Sequence, residues 1–157
     1  MNADHKGFKH RELTQKIIGV FYNVYNGVGH GFLESVYENA MTLALREAGL
    51  DARQQMPVAV YFRGQIVGDF RADLLVDNAV IVELKAAKSL DNTHEAQLLN
   101  YLRATDLEVG LLMNFGPKSE FNRLAFDNER KVNPHMTAMD PDRDTVKENR
   151  DISNRLS

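Results

Sequence analysis

The spacing of apolar residues changes period twice along this chain, and that confines the fold more than any other feature. Between Leu13 and Val28 the residues Ile17, Ile18, Phe21, Val24, Tyr25 and Val28 recur at three- and four-residue steps, which predicts a helix with one apolar face. Gly27, Gly29 and Gly31 break the pattern. A second helical stretch runs from Leu33 to Ala48 and stops at Gly49, a suitable C-terminal cap. After Pro57 the step falls to two, with Val58, Val60 and Phe62 alternating against Ala59 and Tyr61 until the turn Arg63-Gly64-Gln65. Two further strands are expected, Ile66 to Val76 and Ala79 to Leu84, joined by Asp77-Asn78 in a tight hairpin, so the three strands form a meander. Thr93 to Ala104 returns to helical spacing, with Ala96, Leu99 and Leu102 in one arc, and Gly110 to Phe115 reads as a short buried strand. The order α-α-β-β-β-α-β predicts an α/β fold.

A chain of 157 residues, 43% of them hydrophobic, can bury one core but hardly two. One domain over residues 13–126 is expected, preceded by a polar extension at 1–12. Residues 127–157 carry six basic and seven acidic side chains and no aromatic, so they read as a charged tail, disordered or a helix that needs a partner. The net charge of -3 argues against attachment to phosphate chains by bulk positive charge, and any nucleic-acid role must rest on a local site. Without cysteine there is no thiolate nucleophile, zinc-thiolate site or disulfide. No apolar run is long enough for a secretory signal or a membrane span, so the chain reads as cytoplasmic.

Charge stands where strands should be apolar: Asp73 within Ala72–Val76, and Glu83 with Lys85 within Val80–Lys85. Strand side chains alternate faces, so Glu83 and Lys85 share one side, and the Asp77-Asn78 turn brings Asp73 within reach of it. Carboxylates so close repel unless a hard cation lies between them, which makes Asp73 and Glu83 candidate ligands of magnesium or manganese. Lys85 beside such an ion could hold or deprotonate an attacking water, or stabilise charge growing on phosphoryl oxygens. His94, Gln97 and Tyr101 form a polar stripe on the following helix and are candidate substrate contacts. Glu34 and Glu38, four apart on the second helix, are further acids; either could reach the patch, or simply favour the helix dipole. The loop Gly27-Val28-Gly29-His30-Gly31 lacks the Lys-Ser/Thr ending and the preceding strand of a P-loop, which excludes nucleotide binding of that kind.

Taken together, Gly31-Phe32-Leu33-Glu34-Ser35-Val36-Tyr37, Asp73, Glu83-Leu84-Lys85 and Gln97-x-x-x-Tyr101 resemble the GxxExxY family of the PD-(D/E)XK nuclease superfamily, over about Leu13 to Gly116. The resemblance implies a restriction-endonuclease-like core, a central mixed sheet flanked by helices. It also implies Asp73 and Glu83 as metal ligands, Lys85 as the catalytic lysine, a contribution from Glu34, and correspondence of Gln97 and Tyr101 to an element of RecB-like exonucleases. The function then expected is hydrolysis of DNA, before RNA, by metal-activated water attack on a backbone phosphate, with the Leu84 carbonyl as an added ligand. The competing expectation is a non-catalytic nucleic-acid-binding or assembly module that keeps the fold. Tyr22, Tyr25 and Phe32 offer aromatic surface for a homodimer or protein partner.

Overall fold

The computed structural model describes residues 9–131. The elements are α1 (Arg11–Val28), α2 (Glu34–Glu47), β1 (Ala52–Phe62), β2 (Gln65–Val76), β3 (Val80–Lys85), α3 (Asn92–Arg103), β4 (Val109–Phe115) and β5 (Ser119–Ala125), followed by a short 3-10 turn at Asn128–Arg130. The five strands form one mixed sheet in the order β1-β2-β3-β4-β5. All neighbours are antiparallel except β3 and β4, which run parallel with α3 as the crossover between them. The expected order is found, with one strand more.

Helices cover both faces, which is why the central strands are apolar on both sides. Ile17, Phe21 and Val24 of α1 and Tyr37, Met41 and Leu45 of α2 pack on Val80, Val82, Leu84, Val109, Leu111, Met113 and Phe115. On the other face Leu98 and Leu102 of α3 pack on Ile81, Leu75, Leu112, Met56 and Val58. Two of the three hairpin turns use left-handed backbone, Arg63-Gly64 and Asp77-Asn78, the conformation that matches the twist of paired strands.

Three expectations need correction. The first strand begins at Ala52 and runs through Pro57, which pairs with Arg71. β1 is an edge strand, and proline is tolerated there because it can turn its missing donor to solvent. β5 is absent from the sequence-based expectation because its residues are only half-buried along its length and show no alternation. The buried arc of α3 contains Leu98 and Leu102, whereas Ala96 is exposed. Apolar residues in this short helix fit two arcs, and only docking on the sheet selects between them.

Of the aromatic residues expected to offer a contact surface, Tyr25 turns inward, donating its hydroxyl to the Gly116 carbonyl at 2.7 Å. Tyr22 and Phe32 stay exposed. The expected tail lies outside the described residues apart from Asp127–Lys131, and so does the N-terminal extension before Lys9. Among the described residues no helix is long and apolar enough to cross a membrane.

Candidate active site

β2 and β3 pair only at Leu74↔Val82, Leu75↔Ile81 and Val76↔Val80, then part. Backbone groups left open by the parting strands need partners, and the two acids supply them. Leu84 N donates to Asp73 Oδ2 at 2.8 Å, and Asp73 N donates to Glu83 Oε1 at 3.3 Å. The side chains thus extend the ladder beyond its last rung and draw both carboxyls to one point.

β2 also changes faces here. Ala72 packs with α3, whereas Leu74 packs with α1 and α2, so Asp73 sits at the switch. Opposite it on β1, between Gln54↔Leu74 and Met56↔Ala72, Gln55 adopts φ 54, a left-handed conformation rare for a residue with a side chain.

Glu83 is only 6% exposed. Burial pushes its carboxyl up to about 9, the charge and side-chain hydrogen bond of Asp73 act in the same direction, and Lys85 opposes them. Glu83 therefore keeps its proton at neutral pH, with its carboxyl hydrogen-bonded to Asp73. Lys85 follows on the same face of β3, half-buried and close enough for its charge to act on Glu83.

Above this pair lies α3. Tyr101 is hydrogen-bonded to Gln97 and stacks on Phe70 with ring centroids 3.7 Å apart. Burial raises its phenol above the usual range, the charges of Glu83 and Asp73 add to the rise, and the Gln97 bond opposes it. Gln97 and Tyr101 thus face the acids. His94 serves the helix itself. Its Nδ1 accepts from Asp91 N at 3.3 Å while His94 N donates to Asp91 Oδ1 at 3.1 Å, a reciprocal cap on the start of α3.

α2 approaches from the other layer. Glu34 Oε2 accepts from Ala86 N, just past the end of β3, at 3.4 Å. The entry to α2 explains the GxxExxY pattern physically. Gly31 has φ 111, which only glycine adopts freely. The fully buried Tyr37 donates to Gly29 O at 2.7 Å and accepts from Phe32 N at 3.1 Å, so its hydroxyl fixes the loop that delivers Glu34. Glu38 accepts from Gln55 Nε2 at 2.7 Å. Partial burial raises its carboxyl above the usual range, Gln55 opposes, and the charges of Asp73 and Glu34 add to the rise. Asp73 is thus the acid that links the Glu83 side of the cluster to the α2 side.

Sequence reasoning leaves Glu38 undecided and misses Gln55 and Asn114. Asn114 is fully buried; its side chain accepts from Ala87 N at 2.9 Å and donates to Ala87 O at 3.0 Å, clamping the segment that follows Lys85. A polar residue inside an otherwise apolar strand is a visible signal, the same one that marks Glu83.

The donors that converge are oxygens, which suits a hard cation such as magnesium or manganese better than a soft one. Among the described residues, however, no three His, Asp or Glu side chains are grouped closely enough to enclose an ion. Asp73 and Glu83 engage each other and the backbone.

A mixed sheet flanked by helices on both faces, with its acids where two strands part, is a restriction-endonuclease-like α/β architecture. The chain belongs to the PD-(D/E)XK nuclease superfamily, whose family model matches residues 11–124. No curated protein matches the sequence. A solved structure titled "Crystal structure of SSO0001" is similar at 15% identity with a TM-score of 0.47, covering 76% of this chain. This chain spans 61% of that structure's length, and the likeness carries no argument about function.

Proposed function

We propose that this protein is a divalent-metal-dependent phosphodiesterase of the GxxExxY type that hydrolyses the backbone of DNA in preference to RNA. The observation that carries the reading is the reciprocal engagement of Asp73 and Glu83 at the point where β2 leaves β3, with Lys85 on the same face. Asp73 and Glu83 would hold magnesium or manganese, joined by the Leu84 carbonyl and by Glu34, directly or through water. When bound, the ion would supply Lewis acidity toward a phosphoryl oxygen and lower the pKa of a water.

Glu83 would have to give up its proton to serve as a ligand, and a divalent cation held by Asp73 and Glu83 would supply the countercharge. Lys85 positions the attacking water or stabilises charge on the phosphoryl oxygens. Gln97 donates to a phosphate, and Tyr101 packs beside the nucleic-acid backbone from the same helix. A modest negative net charge is compatible with this role, because a bound divalent ion inverts the sign of the local field.

The test is a cleavage screen with single-stranded, duplex and nicked DNA and with RNA, in magnesium or manganese, comparing wild type with Lys85→Ala. The expected result is metal-dependent product from the wild type and a loss of about a hundredfold or more in the variant, with manganese binding retained by calorimetry. Manganese binding without product on every substrate would overturn the reading in favour of a nucleic-acid-binding or assembly module.

A further inference from the structure

Gln55 is the one residue of β1 with left-handed backbone, and it lies directly across the ladder from Asp73. Left-handed backbone is unfavourable in a residue with a Cβ and persists only where its surroundings enforce it. The surroundings here are specific: Arg71 Nη1 donates to Gln55 O at 3.1 Å and pins this stretch of backbone from the neighbouring strand. The side chain then reaches out of the sheet to α2, where its Nε2 donates to Glu38 Oε1 at 2.7 Å. An amide suits this position. It donates to a carboxylate without neutralising it, whereas a lysine or arginine here would cancel the charge.

We propose that Gln55 is a positioning residue, held in a strained left-handed conformation so that its amide fixes the Glu38 carboxylate at the register position of Asp73. This rests on the metal-dependent reading above and extends it. Glu38 adds its negative charge to the field that draws the cation toward Asp73 and Glu83, and Gln55 acts only through Glu38.

Gln55→Gly separates backbone from side chain, because glycine accepts the left-handed conformation and lacks the amide. Wild type, Q55G, E38A and the double variant are titrated with manganese by calorimetry, and their thermal midpoints and cleavage rates are measured. The expected result is manganese binding about five- to tenfold weaker in Q55G, with a thermal midpoint at or above that of wild type. The double variant should bind manganese as E38A does. Unchanged affinity in Q55G, or a further loss from Q55G in the E38A background, would overturn the proposal, as would absence of manganese binding by wild type. A wild type that binds manganese without cutting any substrate defeats the nuclease reading alone, and the affinity series still decides the role of Gln55.

Discussion

At the scale of single residues, Glu83 governs how this molecule responds to pH. Its carboxyl is raised from 4.5 to about 9, so between those values the folded chain holds a proton that the unfolded chain has lost. Stability without metal must then fall as pH rises through that window. Glu83→Gln keeps both hydrogen-bonding directions and removes the titration. The variant should match wild type near pH 4 and exceed it increasingly toward pH 9, by up to about 5 kcal/mol near pH 8. Urea unfolding in chelator at several pH values measures the gap, and a constant difference would show that Glu83 is ionised in the folded state.

At the scale of elements, the entry to α2 binds the motif to its geometry. Tyr37→Phe keeps the stack on Phe115, whose ring centroid lies 4.3 Å away, and deletes the bonds to Gly29 O and Phe32 N. It should cost about 1 to 2 kcal/mol in denaturant unfolding. Cleavage by the variant should fall even at temperatures where it is fully folded, because Glu34 loses its fixed approach; full activity there would show that the loop does not set the position of Glu34. The elements themselves are largely legible in the sequence, since hydrophobic period and turn chemistry are local. Pro57 misleads because its tolerance depends on β1 lying at the sheet edge, a property of the whole fold. α3 misleads because the choice of buried arc is made by the strands beneath it. At the site, Asp73, Glu83 and Lys85 stand out as charge within apolar strands, but Gln55 looks like any polar residue. Its left-handed φ and its bond to Glu38 arise from a register gap and a helix that sequence spacing does not bring together.

At the scale of the whole molecule, the two ends of the central strands serve different purposes. Lys85 pairs with Asn114 at the site end, while Val80 pairs with Val109 at the opposite end. Beside Val109, Glu108 Oε2 accepts from Lys9 Nζ at 2.7 Å and from Asn128 N at 2.8 Å, and Lys131 Nζ donates to Leu107 O at 2.7 Å. Both ends of the described chain are therefore fastened at one corner. Burial would raise the Glu108 carboxyl, but the bonds from Lys9 and Asn128 and the charges of Lys9 and Lys131 outweigh it and hold the group below the usual range. Stability from this acid is present above the ordinary carboxylate pKa and disappears as pH falls through the lowered value. Glu108→Ala should cost about 1 to 3 kcal/mol at pH 7, with the loss shrinking in acid and manganese affinity unchanged. A shift in manganese affinity would show that the corner and the site are coupled.

Gly116 has a consequence for anyone rebuilding this scaffold. A Cβ there would collide with the Ala87 carbonyl and the Asn114 amide, the main-chain and side-chain halves of the clamp behind Lys85. The stretch after the lysine and the end of β4 therefore fit as one casting. A graft that exchanges residues 86–91 for a relative's loop has to bring its own partner for position 116, or leave that α-carbon bare.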